Sequence, residues 1–175
     1  MLTRLYASDR DLIIRHLLAL PAEDRLLRFG FRAPDESIYA YVDRINFIND
    51  DVFGVYGNDG KNLIGLLHLS IYKASDCVPV FLAEAGLSVQ SQYQGHGMGN
   101  LMLEQAIQAC EEEGVGKLFL YFNLRNIKIK KLAIKNHAIV SVDMEDCEAV
   151  IDILGPCAAI NIIGQVDSAV FATEM

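Results

Sequence analysis

A polar, glycine-dense loop between residues 90 and 100 is the stretch of this sequence best suited to bind an anion. It reads Gln-Ser-Gln-Tyr-Gln-Gly-His-Gly-Met-Gly-Asn, follows an apolar run that ends at Val89, and precedes a long amphipathic segment that ends at Gly114. Glycines permit unusual backbone dihedrals and let the main chain approach a ligand closely. The start of the following helix adds unpaired N–H groups and the positive end of its dipole. The loop therefore predicts an anion site built from backbone atoms.

The spacing of the glycines separates the possible nucleotide-binding motifs. A dinucleotide fingerprint needs G-x-G-x-x-G, which Gly95 and Gly97 begin but Asn100 breaks, and a Walker loop needs a lysine that is missing here. The pattern Q/R-x-x-G-x-G/A does fit, through Gln94, Gly97 and Gly99. With the strand before it and the helix after it, this stretch resembles the acetyl-CoA-binding motif of the GNAT superfamily of N-acetyltransferases. The alternative is a glycine-rich turn before an ordinary helix.

The resemblance implies direct transfer of an acetyl group from the co-substrate acetyl-CoA to a primary amine of a small molecule or peptide. It implies that the backbone of the loop binds the pyrophosphate, with His96 and Asn100 as side-chain helpers. A main-chain N–H near Val89 would stabilise the thioester oxygen as it becomes negative. Asn126 would meet an amide of the pantetheine arm or simply cap its helix. The predicted cofactor-binding residues are Leu87, Val89, Gln94, Gly95, His96, Gly97, Met98, Gly99, Asn100 and Asn126.

Glu84 is the candidate general base, with Val89 as the second predicted catalytic residue. It is the one ionisable residue between Val78 and Val89 and has apolar neighbours. Burial among them would raise its pKa toward a useful value. The competing interpretation is an outward-facing carboxylate. Strict alternation places Glu84 on the face of Gly86 and Ser88, unless a bulge near Gly86 reverses the parity.

Two departures from the family pattern make catalysis less secure than cofactor binding. The usual Gly-Phe after the helix that begins at Asn126 is missing, since residues 135–138 read Lys-Asn-His-Ala. Ala133 stands where the family often has a tyrosine that protonates the departing thiolate. Tyr121 or a water molecule could substitute, and a thiol pKa of roughly 8.5 makes thiolate a tolerable leaving group. A non-catalytic acyl-CoA sensor or subunit is therefore the alternative function, and a partner-binding protein is a third.

Two groups of basic residues have open roles. The arginines at 25, 28 and 32 could face a substrate carboxylate, although solvated arginines beside acidic partners are the favoured interpretation. The lysines at 128, 130, 131 and 135 could meet the 3′-phosphate of CoA, although a solvated helix face is favoured.

The hydrophobic pattern predicts an α/β chain with a mixed sheet of about six to seven strands flanked by helices, splayed at the acetyl-CoA site. The predicted strands are 2–7, 51–56, 62–72, 78–89, 117–122, 139–144 and 149–154. The predicted helices run from residue 8 to about 20, from about 35, from the loop to 114, and from 126, with a short one after Pro21. This is the GNAT order.

Composition limits the other possibilities. The chain has 175 residues, 52% of them hydrophobic, which excludes a disordered chain. The net charge of −8 disfavours a sequence-independent grip on nucleic acid. Four scattered cysteines without a C-x-x-C pair predict neither a metal site nor disulfides, so we expect reduced thiols in a cytoplasmic protein. The apolar tract 149–166 contains Asp152, Pro156 and Asn161 and does not predict a membrane span.

We expect one acetyltransferase domain over residues 1–155, followed by a tail over 156–175. Ala159, Ile162, Ile163, Val166 and Val170 recur at helical spacing in the tail. This stripe predicts a helix that packs on the domain or pairs two copies as a homodimer.

Overall fold

The computed structural model describes residues 2–72 and 81–155. The strands are β1 (Leu2–Leu5), β2 (Asp51–Tyr56), β3 (Leu63–Tyr72), β4 (Phe81–Val89), β5 (Val115–Asn123), β6 (Ile139–Asp143) and β7 (Asp146–Asp152). The helices are α1 (Arg10–Leu18), α2 (Ala22–Phe29), α3 (Asp35–Arg44), α4 (Met98–Glu113) and α5 (Ile127–Lys135). The predicted C-terminal helix and the start of the predicted strand at Val78 lie outside the described residues.

Across the described residues, the strands form a seven-stranded sheet in the order β1-β2-β3-β4-β5-β7-β6. Neighbouring strands are antiparallel except β4 and β5, which are parallel. A parallel pair needs a long crossover, and α4 provides it. The predicted α/β fold with a mixed sheet and flanking helices is therefore confirmed.

The parallel strands β4 and β5 pair along only part of their length. Their register runs from Phe81 opposite Val115 to Glu84 opposite Phe119. Beyond Glu84, β4 remains paired with β3 as far as Val89, while β5 remains paired with β7. The two strands therefore separate toward their C-terminal ends. This opening is the splay that the family resemblance implies.

The sheet separates two apolar cores. Helices α4 and α5 cover one face, where Met102 packs in the same cluster as Leu67 of β3. Helices α1 to α3 cover the other face, where Leu17 packs in a cluster with Leu66. Because successive strand residues point to opposite faces, Leu66 and Leu67 belong to different cores. The opening between β4 and β5 thus lies between two helical layers.

Several predicted element boundaries differ from the structure. Helix α1 begins at Arg10 after a 3-10 turn, and Asp9 accepts a hydrogen bond from the N–H of Tyr6 instead of beginning the helix. The short helix after Pro21 is a full helix, α2, so three helices precede β2. The last strand begins at Asp146, earlier than predicted, because the hairpin turns at Met144 with a positive φ of 53°. No helix among residues 2–72 and 81–155 is long and apolar enough to cross a membrane.

Candidate active site

Two glycines of the loop adopt backbone conformations that favour glycine. The φ angles are 83° at Gly95 and 82° at Gly97. Gly97 is the N-cap of α4, and its carbonyl accepts a hydrogen bond from the N–H of Leu101 at 3.1 Å. No side chain of the described residues caps this end of the helix. Its first N–H groups are therefore available to an anion.

A cavity of about 500 Å³ lies where the loop meets the opening between β4 and β5. Its volume falls within the range of roughly 300–1,000 Å³ that is usual for small-molecule sites. The structure brings nine of the ten predicted cofactor-binding residues to its wall: Leu87, Val89, Gln94, Gly95, Gly97, Met98, Gly99, Asn100 and Asn126. His96 is not part of this wall. It is exposed, with Nδ1 3.2 Å from the carbonyl oxygen of Tyr93.

The main-chain N–H of Val89 points into the opening. Gln90 donates its N–H to the carbonyl of Ile64, next to β3, at 2.9 Å. Because N–H groups alternate between the two edges of a strand, those of Leu87 and Val89 point away from β3. They face the side on which β5 has separated from β4. Two main-chain donors are thus available inside the opening, and contact of Val89 with the thioester oxygen stays a prediction.

The side chain of Gln94 links the two sides of the opening. Its Nε2 donates to the carbonyl of Val89 at 2.9 Å, and its Oε1 accepts from Nζ of Lys128 on α5 at 2.5 Å. Nearby, Nζ of Lys135 donates to Oδ1 of Asn100 at 2.8 Å. Lys131 also lines the cavity. Three of the four lysines, Lys128, Lys131 and Lys135, therefore border the candidate cofactor site. For this group the sequence favours a solvated helix face.

Asn126 caps α5, as one of its two sequence interpretations predicts. Its Oδ1 accepts from the N–H of Ile129 at 3.2 Å, and its Nδ2 lies 3.4 Å from the carbonyl of Leu27 on α2. Asn126 also lines the cavity. Contact with the pantetheine arm remains a prediction.

Glu84 lies on β4 at the last position that pairs with β5. The ladder with β3 runs without a bulge past Gly86, so the parity from simple alternation holds: Glu84 shares a face with Gly86 and Ser88. The side chain is partly buried. Burial raises the pKa of Glu84, while Arg28 and then His68 lower it by a smaller amount. Glu84 is not part of the cavity wall itself, and its role as a base stays a prediction.

His16 on α1 is a buried, hydrogen-bonded core histidine. Its Nδ1 donates to the carbonyl of Leu63 at 3.0 Å, which leaves Nε2 to accept from the hydroxyl of Ser88 at 2.9 Å. Burial lowers the pKa of His16. Ser88 lines the candidate cofactor cavity, whereas His16 lines a second cavity of about 490 Å³ on the other side. The pair therefore joins the two cavities.

The structure separates the three arginines that sequence treated as one group. Arg32 forms an exposed pair with Glu23, as the favoured interpretation predicts. Arg25 pairs with Asp35 at 2.7 Å, but its side chain is only 13% exposed and also donates to three backbone carbonyls, so it is not solvated. Arg28 instead lines the cavity. Gly86 is the sequence signal for such a group, because a glycine inside a strand often marks the close approach of another group, but it does not identify Arg28.

Further residues of the cavity wall lie near α2, for which the sequence predicts no cofactor contact, and on α5. They are Leu20, Asp24 and Leu27 near α2, and Arg125, Ile127, Ile129 and Leu132 at α5. Asp24 accepts a hydrogen bond from Ser91 at 2.6 Å, so α2 is attached to the loop after β4. Asn126 attaches the same helix to α5.

The position that often carries the acid is filled here by a core residue. Ala133 is fully buried. Tyr121 is partly exposed and stacks on Phe119 with 6.2 Å between ring centroids. Burial and then the neighbouring Glu148 raise the pKa of Tyr121. Tyr121 keeps its proton near neutral pH but is not part of the cavity wall.

The residues present fit the binding of acetyl-CoA. The uncapped start of α4 and the positive-φ glycines provide a backbone cradle for a phosphate, and three lysines border it. The opening between β4 and β5 provides a slot with main-chain donors for the acyl arm. Among residues 2–72 and 81–155, no group of three or more His, Cys, Asp or Glu side chains is placed to hold a metal ion.

The glycine-containing loop lies at the end of β4, where β4 and its parallel neighbour β5 separate. Together these two features define a site for an acyl-CoA-dependent transferase. A sequence profile described as the acetyltransferase (GNAT) family matches residues 18–132, which is more than half of the chain. The protein belongs to the GNAT acetyltransferase family and is an acetyl-CoA-dependent N-acetyltransferase. No curated protein sequence matches the chain.

Solved structures share the fold at low sequence identity. The GNAT domain of Streptomyces lividans PAT superimposes with a TM-score of 0.70 at 14% identity, over 86% of this chain and 89% of that one. A GNAT-family acetyltransferase of Streptococcus pneumoniae gives 0.68 at 15%, over 87% and 98%. The yncA protein of Salmonella typhimurium, solved with its cofactor acetyl-CoA, gives 0.65 at 12%, over 87% and 93%. The confirmed family and the shared fold agree.

Proposed function

We propose that this enzyme moves the acetyl group of acetyl-CoA to a primary amine of a small molecule or peptide by direct attack in a ternary complex. The observation that carries the proposal is the continuity of the cavity. It runs from the uncapped start of α4 along the open edge of β4, where Val89 and Leu87 present their N–H groups. Both substrates can therefore meet at β4 without a covalent enzyme intermediate.

The backbone from Gln94 to Gly99 holds the pyrophosphate in this proposal, and Asn100 supports the loop through Lys135. The acyl arm lies in the opening beside Leu87, Val89 and Asn126. Acetyl-CoA supplies an activated thioester, whose carbon–sulfur bond breaks as the acceptor nitrogen bonds to the acetyl carbon. The N–H of Val89 stabilises the negative charge on the thioester oxygen during that attack.

Glu84 accepts the proton that the ammonium group of the acceptor must lose. Its raised pKa brings it closer to that of an amine, which makes it a better proton acceptor than an exposed carboxylate. It lies outside the cavity wall, so the proton reaches it through a water molecule. The departing thiolate takes a proton from solvent, because the described residues place Ala133 where the family often has a tyrosine.

The Ser88–His16 pair is a second candidate proton route. Ser88 faces the candidate cofactor cavity and donates to a histidine whose other nitrogen is fixed by the Leu63 carbonyl. A proton taken up by Ser88 would release the hydroxyl proton to Nε2 of His16, where it would stay, because the Nδ1–H is bound to the Leu63 carbonyl. Activity of Glu84 and His16 variants distinguishes the two routes.

A non-catalytic acyl-CoA sensor is the rival proposal, and one experiment tests both. Free thiol release from acetyl-CoA is measured against a panel of amines for the parent and for Glu84→Gln, from about pH 6 to pH 10, the range in which a lysine-like amine begins to deprotonate. The parent should release thiol above the no-amine background. Release at background with every amine would support the sensor.

The same titration tests Glu84. We expect kcat of Glu84→Gln to fall by ~10²–10⁴-fold, the range typical of a lost general base, and the loss to shrink at high pH as more amine arrives neutral. In the parent, the rate should fall as pH drops through the raised pKa, since a protonated carboxyl cannot accept the proton. Parental kcat throughout would remove Glu84 from the mechanism and favour Ser88–His16.

Location and assembly are also proposals. The scattered cysteines fit a reducing compartment such as the cytoplasm, and the described Cys110 and Cys147 are buried free thiols. The division into a domain over 1–155 and a tail over 156–175 that pairs two copies is supported by the apolar stripe in the sequence. Truncation after Gly155 with unchanged mass in solution and unchanged Tm would contradict the tail's role.

A further inference from the structure

Arg28 is the cationic side chain that α2 contributes to the wall of the cavity. It lies in the last turn of that helix and is partly buried. Its Cζ lies 4.9 Å from the ring centroid of Phe29 and 5.6 Å from that of Tyr41. Its Nε is buried and has no hydrogen-bond partner among the described residues. Because Nε is closed to the cavity, a bound acceptor group would meet the Nη donors of Arg28, which lines the cavity wall.

The guanidinium lies directly over Gly86 of β4. A Cβ built on Gly86 would come within 1.9 Å of Nη2 and 2.3 Å of Cζ of Arg28. The absence of a side chain at this position is what allows the cation to lie on the strand. Gly86 and Glu84 share a face, and strand residues two apart are separated by roughly 7 Å. The cation and the proposed base are therefore neighbours on β4.

A chain of hydrogen bonds holds Arg28 in this place. Its Nη2 donates to the hydroxyl of Tyr41 at 2.8 Å. The hydroxyl of Tyr41 then donates to Nδ1 of His68 at 2.5 Å, and Nε2 of His68 donates to Asp50 at 3.2 Å. Each donor in this order meets one acceptor, so the chain fixes the orientation of the guanidinium. Two side chains of this hydrogen-bonded series, His68 and Asp50, are largely buried.

We propose that Arg28 binds a carboxylate of the acceptor, so that the enzyme acetylates short amino carboxylates such as α-amino acids. Guanidinium groups recognise carboxylates through paired, charge-assisted hydrogen bonds. A carboxylate held on Arg28, over Gly86, places an α-amino group on the face of β4 that carries Glu84, two positions along the strand. The inference rests on the proposed acetyl transfer, because it names the substrate class for the same site.

The position of Arg28 favours the acceptor over the phosphates of CoA. The candidate phosphate cradle lies at the start of α4, beyond the end of β4, and Lys128, Lys131 and Lys135 lie on α5. Arg28 instead comes from α2, whose layer covers the opposite face of the sheet from α4. It lies over Gly86, inside β4. An anion at Arg28 is thus a different anion from the one at the loop.

The test compares Arg28→Gln with Arg32→Gln, whose arginine forms an exposed pair with Glu23. Each variant is assayed with L-amino acids, their uncharged amides and the corresponding decarboxylated amines. We expect kcat/KM of Arg28→Gln to fall roughly 10- to 100-fold for amino acids, the range for losing bonds to a charged group, and to change little for the other two series. Arg32→Gln should behave as the parent, and acetyl-CoA affinity of both should stay parental.

Binding is measured in parallel, so that turnover is not the sole readout. Calorimetry with the CoA-bound protein and N-acetyl amino acids should show binding that Arg28→Gln weakens. Binding that depends on Arg28 without turnover of any amine would overturn the proposed transfer but keep the carboxylate site. Equal loss for acids, amides and amines, weaker acetyl-CoA binding by Arg28→Gln, or binding that is absent or independent of Arg28 would each overturn the inference. Parental Tm values confirm that the variants fold.

Discussion

The two sides of the cavity are built by different parts of the chain. At the start of α4, backbone N–H groups and positive-φ glycines form the site, and side chains are secondary. Beneath α2, the site is a side chain, Arg28, held by other side chains and given room by a glycine. The first side is suited to the phosphates of a cofactor that many enzymes use. The second is suited to the acceptor, which differs between enzymes, because a single substitution can change the side chain that contacts it.

The glycines on the two sides are needed for different physical reasons. At Gly97 an added Cβ would meet no atom within 4 Å, but φ is 82°, so any side chain is strained by backbone conformation. At Gly86 the added Cβ would overlap the guanidinium of Arg28. Gly97 is therefore required by its backbone conformation, and Gly86 is required by the space that Arg28 occupies. Substitutions at the two positions should fail in different ways.

The largest effect is expected for Gly97→Val, where a β-branched residue would have to adopt a left-handed conformation. The loop should leave its present geometry, and acetyl-CoA binding should fall below detection in a calorimetric titration. His96→Ala should change affinity little, since His96 is not part of the cavity wall. Gly60→Val is the matched control, because Gly60 has φ of 62° in the turn between β2 and β3, away from this cavity.

Two measurements on these variants, thermal unfolding and acetyl-CoA binding, decide the comparison. Thermal unfolding should show a similar loss for Gly97→Val and Gly60→Val, whereas binding should be lost in the first alone. If Gly97→Val binds acetyl-CoA like the parent, the loop is not the pyrophosphate site. If Gly60→Val also loses binding, strain in the fold explains the effect and the cradle does not.

A smaller and more selective effect is expected for Gly86→Ala. The new methyl group must displace Arg28, so kcat/KM for amino acids should fall roughly 10- to 100-fold, as for Arg28→Gln, while acetyl-CoA affinity stays parental. In an Arg28→Ala background the same methyl group has space, and Gly86→Ala should have little further effect. Additive losses in this double-mutant cycle would show that Gly86 acts independently of Arg28.

The backbone-built side of the cavity could be predicted from sequence because its signals are local. The glycine spacing and the helix pattern that ends at Gly114 lie within one stretch, and α4 ends at Glu113 as expected. Arg28 could not be singled out in this way. Its role depends on Gly86 and Tyr41, which are distant in sequence. Arg25 and Arg32 have the same side chain, but Arg25 donates to backbone carbonyls near its own helix and Arg32 pairs with Glu23 at the surface.

The face of β4 that carries Glu84 is predictable from sequence, but the distance of Glu84 from the cavity is not. Alternation correctly places Glu84 with Gly86 and Ser88, since period two is a local property of a strand. Whether Glu84 reaches the cavity depends on where β4 separates from β5, and this is a property of the whole sheet. The same limit applies to His96, whose loop position was predicted while its outward direction was not.

The smallest effect is expected at the edge of the backbone-built side, for Lys131→Gln. Lys131 lines the cavity and is exposed, whereas Lys130 on the same helix is not part of the cavity wall, so Lys130→Gln is the control. An exposed lysine near a phosphate adds a screened attraction, and we expect acetyl-CoA affinity to fall about two- to fivefold at low salt. The difference between the two variants should shrink as salt rises.

The probe that assigns this effect is dephospho-CoA, which lacks the 3′-phosphate. If Lys131 meets that phosphate, Lys131→Gln should weaken binding of CoA but leave binding of dephospho-CoA at the parental value. An equal loss for both ligands would place Lys131 near the pyrophosphate instead, alongside the loop. Equal affinities of Lys131→Gln and Lys130→Gln for CoA would return Lys131 to the solvated helix face that sequence favoured, and the phosphates would then be held without it.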